Sequence, residues 1–150
     1  MLTVNPSVDI TIAHEFDAAL VDALNRLLPQ LSETALMLSA QKLREILAAP
    51  GNTLFLARDA GHIVGTLTLA VFPTPTGTRA WIEDVVVDEQ KRGGGIGEQL
   101  VRAAMRRAGE QGARTVELTS RPAKASANRL YQRLGFVRRE TNVYRCGVIR

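Results

Sequence analysis

Four glycines within five positions stand at the junction between an apolar run and an amphipathic segment. Gly93, Gly94, Gly95 and Gly97 follow the run that ends at Val87. Clustered glycines raise the entropic cost of folding, so we expect a functional gain at this point. A glycine-rich turn between a strand and a helix directs bare backbone amides outward, and the helix dipole adds positive potential. These residues therefore predict a cradle for a phosphate-bearing ligand.

Two common phosphate-binding motifs do not fit this junction. A nucleoside-triphosphate loop needs Lys and Ser/Thr after its last glycine, whereas Gly97 is followed by Glu98 and Gln99. The dinucleotide fingerprint Gly-x-Gly-x-x-Gly would need a further glycine in place of Glu98 or Leu100. For the glycine cluster taken alone, a tight turn without a ligand stays open as an alternative.

The elements that must position the junction follow from hydrophobic periodicity and from turn residues. Strands are predicted at residues 8–13, 53–59, 63–72, 79–87 and 114–120, and one or two more at residues 136–148. Helices are predicted at residues 16–28, where Pro29 would end the helix, after Ser39, at residues 95–112, and from Pro122 to Leu134 with Gly135 as a left-handed cap. Since Val85–Val87 is apolar on both faces, it is expected in the middle of the sheet. This order favours an α/β fold.

Composition sets bounds on the class of protein. The 150 residues suit one domain, residues 1–150, and the net charge of +4 favours anionic partners. The arginines are scattered and follow no nucleic-acid-binding pattern, so no specific nucleic acid is expected. No apolar run suits a membrane span or a signal peptide. One cysteine, Cys146, and two distant histidines, His14 and His62, predict a reducing cytoplasm and no metal site.

Two segments, in order, resemble the GNAT superfamily of N-acetyltransferases. KRGGGIGEQL resembles the family's pyrophosphate loop, whose signature Gln/Arg-x-x-Gly-x-Gly/Ala is met by Arg92, Gly95 and Gly97. ANRLYQRLGF resembles the second acetyl-CoA segment, a helix that carries Asn and Tyr and ends in Leu-Gly-Phe, and IEDVVV resembles the central strand. The matched stretch covers residues 81–136. The resemblance implies the GNAT fold, a single twisted mixed β-sheet flanked by helices, whose central parallel strands at residues 81–87 and 114–120 splay apart.

The resemblance also implies acetyl-CoA as the co-substrate, inserted between the splayed strands. Main-chain groups of Val85, Val86 and Val87 would pair with the pantetheine arm. The pyrophosphate would lie against the amides of Gly93, Gly94, Gly95, Ile96, Gly97 and Glu98. Arg92 would add charge, and Asn128 would contact the pantetheine region.

The implied reaction is attack of a neutral amine on the thioester carbon, which needs a stabilised oxyanion and a proton for the leaving thiolate. A backbone N–H near Val85 would polarise the thioester carbonyl. The Tyr131 hydroxyl would protonate the sulfur of CoA or donate a hydrogen bond to it. Glu83 is the expected base and Asp84 an amine-binding residue, because neighbours on a strand point to opposite faces unless a bulge intervenes. Arg121 is expected to anchor an anionic group of the acceptor. Purely structural or solvated roles remain alternatives for Tyr131, Glu83 and Arg121.

We therefore expect an N-acetyltransferase that acts on a primary amine of a small molecule through a ternary complex. A protein or peptide N-acetyltransferase is the first alternative, and a non-catalytic acyl-CoA-binding domain is the second. A homodimer is compatible with the sequence, which does not decide the oligomeric state.

Overall fold

The computed structural model describes residues 7–149. Its elements are β1 (Val8–Ile12), α1 (Ala18–Leu31), α2 (Ala40–Ala48), β2 (Asn52–Asp59), β3 (His62–Thr74), β4 (Gly77–Val87), a 3-10 turn (Glu89–Lys91), α3 (Ile96–Glu110) and α4 (Ala125–Arg133). The chain divides into two compact units, Met1–Thr119 and Ser120–Arg150. The expectation of one domain over residues 1–150 stays a prediction.

An antiparallel sheet in the order β1-β2-β3-β4 organises the first unit. β2 and β3 form the predicted hairpin, with Asp59 opposite His62. β3 and β4 form a second hairpin that turns between Thr74 and Gly77. β4 therefore ends the order of strands, and Val85–Val87 does not lie in the middle of this four-stranded sheet.

Helices cover both faces of the sheet. By register, Leu56, Thr66 and Val86 share one face, and Leu56 and Val86 pack there in a core cluster with leucines of α1 and α2. Gly65 belongs to the opposite face, where an added Cβ would lie 3.2 Å from Leu100 Cδ1 of α3. The sheet is thus the middle layer of three, and α3 approaches it closely.

Side-chain caps fix where the first two helices begin. The Asp17 carboxylate accepts from the Ala19 amide at the start of α1, and the Ser39 hydroxyl accepts from the Lys42 amide at the start of α2. The start of α2 agrees with the prediction. None of the helices within residues 7–149 is long and apolar enough to cross a bilayer.

Two prolines occupy other positions than those predicted. Pro29 lies inside α1, which runs on to Leu31 because the Ser32 amide still donates to the Leu28 carbonyl. Pro122 precedes α4, and the Lys124 amide donates to the Arg121 carbonyl to close a turn there. The prediction that Pro29 ends its helix and the prediction that Pro122 lies in a first helical turn were wrong.

Two of the expected strands are not formed as strands. In residues 114–120 only Glu117 pairs, through a single parallel bridge to Trp81, and residues 136–149 contain no strand. The residue types there suit strands, but a strand also needs a neighbour for its backbone groups, which the local sequence does not reveal.

Gly51, in the connection between α2 and β2, provides a test of backbone packing against β3. A Cβ at this position would lie 2.4 Å from the Val71 carbonyl oxygen. Gly51→Ala is expected to lower the free energy of unfolding by about 1–3 kcal/mol, because the backbone must shift. Gly109→Ala in α3 is the control, since no atom outside its chain neighbours and its own helix backbone lies within 4 Å of the added Cβ in the described structure, and it should raise stability by roughly 0.5–1 kcal/mol. Urea unfolding measures both, and equal effects of the two substitutions would contradict this account.

Candidate active site

A β-bulge interrupts β4 at the residues expected to carry the chemistry. Glu83 lies opposite Thr68 and Val86 opposite Thr66, so Asp84 and Val85 together face Leu67. Asp84 has a φ of +50°, which costs an L-residue about 1 kcal/mol relative to ordinary backbone. Strain of this kind is kept where the surrounding structure imposes it, often at functional sites.

The bulge decides how the two carboxylates are arranged. Both Glu83 and Asp84 are exposed. Register places Glu83 on the same face as Val86, the face that packs against α1 and α2. Because of the extra residue, strict alternation no longer relates the side chains before and after Asp84. The exception anticipated from the sequence is therefore present, and the roles of both acids stay predictions.

The outer edge of β4 is open beyond Trp81. The bridge to Glu117 consists of two backbone hydrogen bonds of 2.9 Å. Among the described residues, residues 83–87 have a strand partner only on the β3 side. Within the described residues, the segment around Glu117 therefore pairs with β4 only near Trp81.

Val87 directs its backbone polar groups toward this open edge. The Asp88 amide donates to the Val64 carbonyl of β3 over 2.8 Å. Since successive residues of an antiparallel strand point their N–H and C=O groups to opposite sides, those of Val87 point away from β3. The Val87 carbonyl accepts a hydrogen bond of 3.1 Å from Nε of Arg92.

The turn that leads into the glycines is held by contacts from several elements. The Glu89 amide donates to Oε1 of Gln30 on α1 over 2.9 Å, and the Asp88 carboxylate accepts from the Gln90 amide. Lys91 Nζ lies 3.0 Å from Oδ2 of Asp59, the last residue of β2. These contacts fix the turn before any ligand is bound.

The glycine junction combines left-handed backbone with an uncapped helix. Gly93 and Gly95 have φ values of +86° and +79°, a region that glycine enters without steric cost. Gly95 is the N-cap of α3 and supplies no side chain to its amides. The first-turn amides of a helix have no partner within the helix, and Gln99 donates back to the Gly95 carbonyl. The N-terminal end of α3, formed by Gly95 and the first-turn amides and called here the mouth of α3, therefore fits a phosphate group.

Charged and polar groups beside this mouth are already engaged or buried. Glu98 Oε1 accepts from Nε and Nη2 of Arg102 over 3.0 and 2.9 Å. The ion pair offsets the negative charge that Glu98 would otherwise present to a phosphate. Nε2 of Gln99 is buried and has no hydrogen-bond partner within the described part of the chain.

Tyr131 lies on α4 in the second unit. Its ring meets Phe136 edge-on, with centroids 5.8 Å apart. Burial raises the pKa of the Tyr131 hydroxyl, because the phenolate form is poorly solvated there. The hydroxyl is protonated at neutral pH, as an ordinary tyrosine is, and can donate a proton or a hydrogen bond.

Asn128, in the first turn of α4, is hydrogen-bonded to the turn at Arg121 that precedes the helix. Nδ2 of Asn128 donates to the carbonyls of Arg121 and Lys124, each over 2.9 Å. These bonds secure the turn at the start of α4 and use both N–H donors of the side chain. The Arg121 side chain is exposed.

Comparison with known proteins identifies the family. The Acetyltransferase (GNAT) family model matches residues 19–136 of the chain. The chain belongs to this family. The resemblance drawn from the glycine loop and the ANRLYQRLGF segment is thereby confirmed, together with the α/β fold class.

Several proteins named as acetyltransferases are similar to the chain. It is 37% identical over 94 residues to mycothiol acetyltransferase of Amycolatopsis mediterranei, covering 59% of this chain and 31% of the relative. It is 36% identical over 84 residues to N-alpha-acetyltransferase MAK3 of Arabidopsis thaliana, covering 56% of this chain and 44% of the relative. The chain thus spans less than half the length of both curated relatives. A solved aminoglycoside acetyltransferase from an uncultured soil metagenomic sample shares the fold, with a TM-score of 0.85 and 22% identity over 98% of this chain and 99% of that one.

The structure adds residues that the sequence did not single out in this GNAT chain. Gln30, Asp59 and Lys91 hold the turn before the glycines, and Gln99 lies at the mouth of α3. Gln30 and Asp59 are distant in sequence from the junction, and no local pattern marks them. In residues 7–149, no group of three or more His, Cys, Asp or Glu side chains is arranged to hold a metal ion.

The ion pair between Asp59 and Lys91 predicts a pH-dependent contribution to stability. Hydrogen bonds from Lys91 and then Ser7 lower the pKa of the Asp59 carboxyl below its usual value. A lowered pKa favours folding above the unfolded-state value, and this contribution is lost as pH falls through the folded value. Asp59→Asn should therefore destabilise the protein at pH 7, and the difference from wild type should shrink toward about pH 3. Urea midpoints at the two pH values measure this, with Asp9→Asn, an exposed acid of β1, as the control. A constant difference would contradict it.

Proposed function

We propose that the protein is an acetyl-CoA-dependent N-acetyltransferase that acts on a primary amine of a small molecule by direct attack in a ternary complex. The observation that carries the proposal is the open edge of β4, which ends at the uncapped, glycine-lined mouth of α3. Such an edge can pair with an extended amide-bearing arm, as an added strand would. The mouth of the helix can take the phosphates at the end of that arm.

The proposed co-substrate contacts follow from this geometry. The pantetheine arm would lie along Val85, Val86 and Val87. The pyrophosphate would meet the amides of Gly93, Gly94, Gly95, Ile96, Gly97 and Glu98, with Arg92 beside them. The second unit supports an anionic co-substrate, because residues 120–150 contain eight Arg or Lys and one acidic residue.

The amine side of the reaction is assigned to the bulge. Asp84 and Glu83, both exposed, offer negative charge to a cationic amine. Glu83 accepts the proton of the ammonium form, directly or through water, so that a neutral amine can attack. When bound, acetyl-CoA supplies the thioester whose carbonyl carbon the amine attacks. The N–H near Val85 stabilises the negative charge that develops on the carbonyl oxygen.

The thiolate side is assigned to Tyr131. As the new C–N bond forms and the C–S bond breaks, the hydroxyl gives its proton to the sulfur. The nitrogen then loses one proton, which passes through water to the tyrosinate and restores the hydroxyl, while Glu83 releases the proton of the ammonium form to solvent. A phenol hydroxyl is protonated at neutral pH even at its ordinary pKa, so Tyr131 has a proton to give. Asn128, whose Oδ1 is an acceptor, is proposed to contact the pantetheine region, and Arg121 to bind an anionic group of the acceptor.

The acceptor class has one competitor with a specific observation in its favour. Similarity to the relative named N-alpha-acetyltransferase MAK3 supports a peptide acceptor. A panel of small amines and N-terminal peptides, with acetyl-CoA as donor and thiol release as the readout, separates the two classes. Binding of acetyl-CoA without turnover on any acceptor would favour the non-catalytic acyl-CoA-binding domain. The exposed single thiol of Cys146 suits the cytoplasm that we propose as the compartment.

Tyr131→Phe tests the proposed proton donor. Removal of the hydroxyl should lower kcat about 10²-fold or more, since general acid catalysis contributes at least this much. The dissociation constant for acetyl-CoA should change little, because the hydroxyl acts mainly in the transition state. Stopped-flow turnover and calorimetry measure the two quantities. Wild-type turnover by the variant would remove Tyr131 from the mechanism.

Gly95→Asp and Gly95→Asn test the phosphate cradle as a matched pair. Both side chains tolerate left-handed backbone better than most residues, so strain at φ +79° is similar for the two variants. Only Asp adds a negative charge at the mouth of α3. Calorimetry should show that Asp weakens acetyl-CoA binding at least tenfold more than Asn does. Equal affinities would place the pyrophosphate elsewhere.

A further inference from the structure

We propose that Arg92 is a positioning residue that holds the end of β4 against the glycine junction through the Val87 carbonyl, and that it is not a phosphate ligand. The inference rests on the proposed acetyl-CoA site and assigns a different task to one of its residues. It requires that Arg92 act on the protein backbone and only indirectly on the ligand.

The geometry of the contact supports a backbone role. Nε–H of Arg92 donates to the Val87 carbonyl over 3.1 Å and links residues on either side of the 3-10 turn. That carbonyl points away from β3 toward the open edge, where no strand of the described residues accepts or donates. An unpaired backbone carbonyl gains from a donor, and the rigid guanidinium fixes the direction of Nε–H. The bond therefore closes the turn at one defined geometry.

The two neighbouring cations also contact the protein, through ion pairs with carboxylates. Lys91 is bound to Asp59, and Arg102 is bound to Glu98. Three successive cations around the junction thus contact groups of the protein. The positive potential for a phosphate then comes mainly from the amides at the mouth of α3, as expected at a helix N-terminus.

A positioning role has a consequence that a phosphate contact lacks. Arg92 joins the strand edge at Val85–Val87 to the loop at Gly93–Gly95, so its loss loosens both parts of the site together. Both the pantetheine-binding edge and the pyrophosphate cradle should then bind less well. Loss of a residue that only binds phosphate would weaken the binding of a donor that carries phosphate and leave the binding of a phosphate-free donor unchanged.

The experiment compares two donors that differ in phosphate. Acetyl-CoA carries the pyrophosphate, whereas S-acetylpantetheine does not. Dissociation constants for both are measured for wild type, Arg92→Met and Arg92→Lys. Arg106→Met, on the exposed side of α3, is the control that removes the same charge. We expect Arg92→Met to raise both constants by a similar factor, about tenfold, with an unchanged salt dependence for acetyl-CoA.

Arg92→Lys distinguishes geometry from charge. It keeps the cation but loses Nε–H, so under a positioning role it should behave like Arg92→Met. Recovery of wild-type affinity in Arg92→Lys would overturn the inference. So would a loss confined to acetyl-CoA with a weaker salt dependence, or no loss for either donor.

Amide hydrogen exchange of the free protein gives a readout that needs no ligand. The Asp88 amide, which is bonded to Val64 at the end of β4, should exchange faster in Arg92→Met and at the wild-type rate in Arg106→Met. An unchanged rate in Arg92→Met would also overturn the inference. If the wild-type protein bound neither donor, the proposed function would be wrong. If the wild-type protein bound both donors and any of the contrary results above were found, only the proposed role of Arg92 would be wrong.

Discussion

Backbone groups without a neighbouring strand along the outer edge of β4 are the constraint on which the site depends. Polar groups of the main chain are costly to leave without a partner, and sheet edges are normally covered or paired. Here the bridge between Trp81 and Glu117 covers one end of the edge. Beyond that bridge, Arg92 supplies a donor to Val87. The intervening length stays available to a ligand that can act as a strand.

One inserted residue then sets the direction of the side chains along this edge. The bulge at Asp84 and Val85 lets Glu83 lie on the face of α1 and α2 and still leaves Val86 buried in the core beneath them. A regular strand would place residues 83 and 86 on opposite faces. The positive φ of Asp84 is the local cost of this arrangement. The buried core and the exposed carboxylates of Glu83 and Asp84 are therefore linked through one backbone irregularity.

The glycine junction shows how flexible residues can form a defined cradle. Glycines carry a high conformational entropy in the unfolded chain, but the turn before them is bonded to α1, β2 and β3 through Gln30, Asp59 and Val64. α3, which follows them, packs closely against Gly65 of the sheet. Order imposed by these neighbours reduces the entropy that a ligand would have to remove on binding.

Local patterns in the sequence determined the four strands of the sheet, the hairpin of β2 and β3, the Ser39 cap of α2, and the left-handed Gly135, whose φ is +94°. They also identified the family, because the glycine loop and the helical motif are each short and continuous in the sequence. The phosphate-binding role of the glycine junction stays a prediction. The tertiary structure alone decided that residues 114–120 pair only at Glu117 and that residues 136–149 form no strand. It also decided that Lys91 forms an ion pair with Asp59 and that Arg92 donates a hydrogen bond to the Val87 carbonyl. Periodicity records which face of an element is apolar, whereas the partner of a backbone carbonyl or of a carboxylate is chosen by packing between residues far apart in the chain.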